Sequence, residues 1–312
     1  MSVRSGRQFH NQPEDSHQHR FLVDLWRDVH AKTGGEVDIT VHARNAGVVG
    51  SDPHVLDMLV AGEVEFATMM GPLIGAQVPA VEIQGLPFAF HKSDEAHRTL
   101  DGPLGDYLRV EMAAKGIYAL PAGALENGFR QICSVAKRVG TIDDLAGYRM
   151  RVPAGRILEE LFAELGAVPV RINIDELYCA LETRQVDGHE NPLAITEVNH
   201  LHRVTRYVAI TNHVWSGFNL IGNLAFWHSL PDGAHDIIHR AVKIHVARQR
   251  LYTVELNRSL ERRLAERGME VNPLDTAPFR ARLGAAFYWR WKAHFGRAAW
   301  RLLEESVGPL PA

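Results

Sequence analysis

The sequence predicts an α/β protein folded as two lobes, each with a largely parallel sheet. Three observations predict it. Segments with strand period alternate with segments of helix period along the chain. The 312 residues suffice for two packed lobes of roughly 150 each. The run Leu59-Val60-Ala61-Gly62-Glu63-Val64-Glu65 is echoed by Leu181-Glu182-Thr183-Arg184-Gln185-Val186-Asp187: a helix end, a turn, then a valine and an acid entering a strand. Two lobes of related build would hold a ligand between them, at the C-terminal ends of their strands.

Taken in order, Leu22, Leu25, Trp26 and Val29 recur at helical spacing, and Gly34-Gly35 ends that helix. Val37, Ile39 and Val41 alternate as a strand. Val55, Leu56, Leu59 and Val60 mark a helix ended at Gly62, and Val64–Met70 reads as a buried strand. Ser93 is placed to cap a helix over 94–114, with a strand at Ile117–Leu120. Gly128–Val135 is a strand, and Thr141-x-x-Asp144 has the form of a capping box. Arg149–Val152 is a strand stopped by Pro153. Ile157, Leu158, Leu161, Phe162 and Leu165 line a helix that Gly166 ends. Val168–Ile172 is a strand, and Leu177, Tyr178 and Leu181 mark the next helix. Val214–Asn223 is a long strand. A helix follows from about Asp232 to Gly268, with Leu256, Leu260 and Leu264 on one face. At 1.5 Å per residue it reaches ~50 Å, enough to bridge two lobes. Another helix starts near Thr276 and breaks near Gly296, and a last one runs to Ser306. Trp289, Trp291 and Trp300 in this tail read as packing residues.

Composition removes several function classes. Apolar residues make up 46% and charged residues 23%, an ordinary globular balance that drops disordered and fibrous proteins. A net charge of −3 gives no global basic field, so no nucleic-acid partner is expected. No apolar run reaches the ~18–20 residues that span a bilayer, so direct membrane insertion is not expected. The start, MSVRSGRQFHNQPED, has no apolar signal core. A periplasmic placement would require that a signal peptide has been removed. Cys133 and Cys179 are too few for a disulfide framework, though a single bridge stays open. The close histidine pairs His17/His19 and His200/His202 lack partners at zinc-motif spacing, so neither metal nor cofactor is expected.

Two arginines carry the functional reading. Arg130 lies in GFRQI and Arg151 in RMRVP, both strand-like. Arg151 sits just before a proline stop, at a strand end, where open α/β sheets present ligands. A planar guanidinium matches a carboxylate with two parallel hydrogen bonds. A structural salt bridge is the competing reading for either residue. In Asp187-Gly188-His189-Glu190-Asn191-Pro192, Asp-Gly permits a tight turn and Pro192 suits a first helical position. Asn191 then either caps that helix or turns its amide to a ligand. Asp187, His189 and Glu190 suggest acid–base catalysis by proximity alone; no nucleophile motif, phosphate loop or metal set accompanies them.

The runs DDLAGYRMRVP, LGAVPV, DELYCALETRQVDGHENPL and YVAITNH, in that order, resemble the signature region of the TRAP-transporter solute-binding family, often called DctP. FHNQPEDSHQHR, KTGGEVDITV and LVAGEVEFATM are also similar to the family's first elements, and the resemblance covers about 7–305. It implies a two-lobed, periplasmic-binding-protein-like α/β fold, each lobe a mixed, mostly parallel sheet flanked by helices, with hinge strands and a long helix crossing both. The lobes are expected at 1–127 with 216–255, and at 128–215 with 256–312. The resemblance implies that Arg151 grips a ligand carboxylate bidentately, that Asn191 hydrogen-bonds the same group, and that Arg130 assists. It further implies a small organic acid as ligand, transporter membrane subunits as partners, a periplasmic location and no enzymatic turnover. Where many members have a glycine before the valine of the VDG motif, this chain has Arg184-Gln185. The segment Ala124-Leu125-Glu126-Asn127, read as a loop facing the cleft, bears on specificity.

The remaining lining is expected from His10 and Asn11 after the first strand, and from Met70, Gly71, Glu126, Asn212, His213 and Trp215. Polar candidates outnumber apolar ones, which favours a hydroxylated acid such as an aldonate or uronate. Trp215 keeps an aromatic or aliphatic acid open, and a ligand sensor for a signalling partner is the alternative to transport.

Overall fold

In the computed structural model, which describes residues 3–48 and 52–311, the first half runs β1 (Arg4–Phe9), α1 (His17–Lys32), β2 (Val37–His42), α2 (Asp52–Ala61), β3 (Phe66–Met70), α3 (Gly71–Ile74), α4 (Ser93–Asp101), α5 (Pro103–Ala113), β4 (Ile117–Phe129) and β5 (Gln131–Ser134). The chain continues through β6 (Arg149–Val152), α6 (Arg156–Glu164), β7 (Val168–Arg171), α7 (Ile174–Glu182), β8 (Gly188–Asn191), α8 (Leu193–Val198), β9 (Tyr207–Ile210) and β10 (Trp215–Asn223). It ends in α9 (Leu224–His228), α10 (Ala234–Glu266), β11 (Glu270–Pro273), α11 (Ala277–Phe295) and α12 (Arg297–Val307).

The strands form two sheets, one per lobe, in the orders β2-β1-β3-β10-β4 and β11-β9-β5-β8-β6-β7. In the first, β1 is parallel to β2 and β3, and β10 is antiparallel to β3 and β4. In the second, β6 is parallel to β7 and β8, while β5 is antiparallel to β8 and β9. Helix α1 shows the logic of the flanks. Leu22, Leu25, Trp26 and Val29 are buried on one face, and they pack with Phe66 of β3 and Ile238 and Val242 of α10. Ser16 caps the helix by accepting a hydrogen bond from the His19 amide.

The sequence echo is a structural repeat. Glu65, just before β3, accepts from the backbone N–H of Arg7 at 2.8 Å and from its Nε at 3.1 Å. Asp187, just before β8, accepts from the same two groups of Arg149 at 2.9 and 3.1 Å. Each acid ties its own strand to the arginine of the neighbouring parallel strand, so β1/β3 and β6/β8 are equivalent pairs.

The chain passes directly between sheets at Arg130, between β4 and β5, and again over 211–214, between β9 and β10. The Arg130 amide donates to the Val214 carbonyl at 2.8 Å and joins the two passages. Helix α10, 33 residues long, packs on α1 and β4 of the first lobe and on α8 and β11 of the second. Helix α12 packs on α4 and α5, so the tail reaches back to the first lobe.

Several expectations are corrected. The helix expected over 94–114 is two, α4 and α5, because Gly102 is extended and Pro103 starts a new helix. Ser93 is the first helical residue and Lys92 the cap, without a side-chain bond. Ala124–Asn127 is not a loop but the interior of β4, buried against β10 and α10. Gly188–Asn191 is a buried strand, not a turn, and Pro192 is the N-cap of α8, so Asn191 does not cap it. Trp291 and Trp300 are buried but Trp289 is exposed. Both cysteines are free, Cys133 buried and Cys179 exposed, so no bridge forms.

Candidate ligand-binding site

A cavity lies between the sheets, lined by residues of both lobes. Strand ends supply much of its lining: Asn11 and Gln12 follow β1, Met70 ends β3, Pro153 and Ala154 follow β6, and Asn191 ends β8. This is where the sequence reading placed a ligand.

Arg151 lies in β6, is 2% exposed and borders the cavity. Its Nε donates to the Ile172 carbonyl at 2.8 Å, which fixes the plane of the guanidinium. Among the described residues, no carboxylate pairs with it and its terminal nitrogens have no hydrogen-bond partner. Burial pushes its pKa down to about 9, Glu190 and Asp52 oppose that shift, and Arg130 reinforces it. The group is still a cation at neutral pH.

Arg130 is differently employed. Its Nε and Nη2 engage the carboxylate of Glu190, the latter at 2.6 Å to Oε1, and Nη2 also donates to the Glu190 carbonyl at 2.7 Å. Burial alone would raise the Glu190 carboxyl, but the Arg130 charge and His213 pull it down to about 2. Because a carboxylate only accepts, His213 carries its proton on Nε2, 3.2 Å from Glu190, and its Nδ1 accepts from the Thr211 hydroxyl at 2.7 Å. The remaining nitrogen of Arg130, Nη1, donates to Ser216 Oγ at 3.3 Å, and Met70 Sδ is 3.6 Å away.

Asn191 is held at both ends. Its Oδ1 accepts from Arg130 Nη2 at 3.2 Å, and its Nδ2 lies 3.0 Å from His189 Nδ1. Burial, then the nearby Arg151 charge, push the His189 pKa down to about 3, so the ring is neutral and Nδ1 accepts. The second N–H of the amide is left over.

The opposite wall carries Asp52, at the start of α2. Its Oδ2 accepts from Asn11 Nδ2 at 2.5 Å and its Oδ1 from Asn45 Nδ2 at 2.8 Å. Burial raises its pKa, against the pull of the two amides. Asp52, Gln12, Asn173 and Phe218 border the cavity without having been expected from the sequence, and Asn127, from the segment expected to face the cleft, borders it too. The one available signal was Asp52-Pro53 opening the helix after a parallel strand.

Of the residues expected to line the site, Arg151, Arg130, Asn191, Asn11 and Met70 do so. The other six lie elsewhere. His10 turns to His19, 2.9 Å from its Nδ1, and accepts from the Gln12 amide. Gly71 is pressed against its neighbours, where a Cβ would come within 2.8 Å of the Val81 carbonyl oxygen. Glu126 sits at a register shift between β4 and β10 and turns away from the cavity. There its carboxylate takes the Trp215 indole N–H at 3.1 Å and meets His97 Nε2 at 2.7 Å, which also removes Trp215 from the cavity. Asn212 accepts from Gln131 at 2.6 Å, and His213 is spent on Glu190.

Residues 9–290 match the family described as DctP, bacterial extracellular solute-binding protein, family 7. The chain belongs to the DctP family of TRAP-transporter solute-binding proteins. This family member is 26% identical to the sugar acid binding protein of Advenella mimigardefordensis, solved with galactonate; the match covers 98% of each chain with a TM-score of 0.91. It is 31% identical to the C4-dicarboxylate-binding periplasmic protein DctP of Rhodobacter capsulatus over 67% of this chain and 62% of that one. An uncharacterized protein of Sinorhizobium fredii is 33% identical over 59% of this chain, which is only 33% of that protein's length. Among the described residues, no helix is long and apolar enough to cross a membrane, and no group of three or more His, Cys, Asp or Glu is placed to hold a metal ion.

Proposed function

We propose that this chain is the periplasmic solute receptor of a TRAP transporter, that it grips a small organic acid by its carboxylate on Arg151, and that it passes the acid unchanged to membrane subunits. One observation carries the reading: Arg151 is a buried cation that borders a cavity and pairs with no carboxylate among the described residues. A buried unpaired charge costs several kcal/mol. An anion that enters the cavity relieves that cost and meets a fork whose plane is already set. Asn191 adds its spare N–H to the same group, and Arg130 adds only Nη1, because Glu190 holds the rest. Closure of the lobes then dries the site and strengthens these bonds.

A hydroxylated acid is the favoured ligand. Asn11, Gln12, Asn127, Asn173 and Asn191 give the lining five side-chain amides, and Phe218 is the one aromatic ring among the described lining residues. The relative from Advenella mimigardefordensis was solved with galactonate. The aromatic alternative leaned on Trp215, which is off the cavity.

Isothermal titration with galactonate, galacturonate, succinate and benzoate tests the reading, with recovery of the bound acid by mass spectrometry. At least one acid is expected to bind at micromolar affinity and to return intact. Failure of every acid, or chemical turnover, overturns it.

A further inference from the structure

The cavity is bipolar. The guanidinium of Arg151 stands on the second lobe, and the carboxyl group of Asp52 on the first. They feel each other's charge, yet no salt bridge joins them. Each is instead braced from behind, Arg151 by the Ile172 carbonyl and Asp52 by the amides of Asn11 and Asn45. Each Asp52 oxygen accepts one amide N–H, so the carboxylate plane is fixed and lone pairs remain for a ligand. A ligand spanning the lobes therefore meets a donor fork at one end and an acceptor pair at the other.

We propose that Asp52 selects the substrate class, accepting a hydroxyl proton of an acid held on Arg151 and rejecting any second carboxylate at that end. This deepens the preceding reading and rests on it. A hydroxyl donates to Asp52 without carrying charge into the site. The second carboxylate of a dicarboxylate meets in Asp52 a half-buried carboxyl group whose donors are already taken, so it finds a like group and no donor there. The side chains beside Asp52 in the cavity are neutral amides that both donate and accept, which suits a hydroxyl, while Asp175, whose charge also reaches Asp52, is paired with Arg44. An ammonium would favour further carboxylates or an aromatic cage. The family includes both galactonate and C4-dicarboxylate binders, so membership alone does not decide the class.

The wild-type protein supplies the first test, by titration with galactonate, succinate and hexanoate. Galactonate is expected to bind at least about tenfold more tightly than either, the range that one unpaired buried polar group produces. Succinate or hexanoate binding as tightly as galactonate overturns the proposal. The second test is Asp52→Asn, which removes the charge and keeps the shape. It is expected to weaken galactonate about tenfold or more and to narrow or reverse the preference over succinate. An unchanged ratio overturns the assignment of Asp52. Arg151→Ala separates the two readings. If it leaves galactonate binding intact, the carboxylate grip itself is wrong; if it abolishes binding while Asp52→Asn leaves the ratio unchanged, only the role of Asp52 falls.

Discussion

Glu190 Oε1 lies 2.6 Å from Nη2 of Arg130, and the same carboxylate also engages Nε of that residue. The pair is fully buried, at 2% and 0% side-chain exposure. One of the two cavity arginines, Arg130, is thereby neutralised by the protein, and the other, Arg151, has no carboxylate partner among the described residues. The two arginines are therefore not redundant.

Arg151→Ala is expected to reduce ligand affinity by roughly 30-fold to several thousand-fold, the range for truncating one partner of a buried charge pair. Arg151→Lys is expected to fall in the same direction, because an ammonium cannot make two parallel bonds. The empty alanine variant should melt no lower than wild type, since it discards an uncompensated buried cation. Calorimetric titration and a melting curve without ligand check both statements.

Glu190→Leu should act on stability, because it strands Arg130 in the interior. The expected loss is about 3–5 kcal/mol, read from urea denaturation. The pH dependence has a definite sign. Glu190 titrates at its ordinary 4.5 when unfolded and at about 2 in the fold. Its contribution is complete above pH 4.5 and is lost as pH falls through 2. The variant should lack that part of the acid transition.

Burial holds His10, His17 and His189 neutral, at about 3, 4 and 3 against an ordinary 6.5. The unfolded chain takes up their protons below pH 6.5 and the folded chain does not. The stability they confer by staying neutral is full above pH 6.5 and erodes as pH falls toward 3. The slope is about 1.4 kcal/mol per pH unit for each group. Urea midpoints at pH 7 and pH 5 should differ accordingly, and His189→Gln should shrink the difference. Equal midpoints would contradict the buried neutral rings.

Between the lobes, Arg44 of the first meets Asp175 of the second at 2.8 Å. Both are about half exposed, at 47% and 51%. Such pairs are worth about 0–1 kcal/mol and are screened by salt. Asp175→Asn should therefore speed ligand release by no more than about fivefold. Stopped-flow release rates in low and high salt check this, and added salt should bring wild type towards the variant.

Elements with one wet face were legible from sequence. Helix α1 shows its buried stripe directly, and β2 alternates at Val37, Asp38 and Ile39. Ala124–Asn127 of β4 and all of β8 are buried throughout, so alternation vanishes and the polar residues look like loop or turn. The site divides similarly. Arg151 announces itself before Pro153 at a strand end. Asp52 looks like an ordinary residue at a helix start, and only the amides of Asn11, 41 positions away, and Asn45 show its placement. Glu126 and Trp215 are polar and aromatic enough to suggest a pocket, but they satisfy each other across 89 positions. Partner choice over that distance is a tertiary fact that no local pattern encodes.

The bond from the Arg130 amide to the Val214 carbonyl stitches together the two passages of chain between the lobes, while the same residue's side chain borders the cavity. Cargo and axle thus share one amino acid. On the proposed function, a turn of one half against the other would pass through the backbone of the residue whose guanidinium borders the cavity. Substitutions at this position are then expected to alter acid affinity and opening rate together.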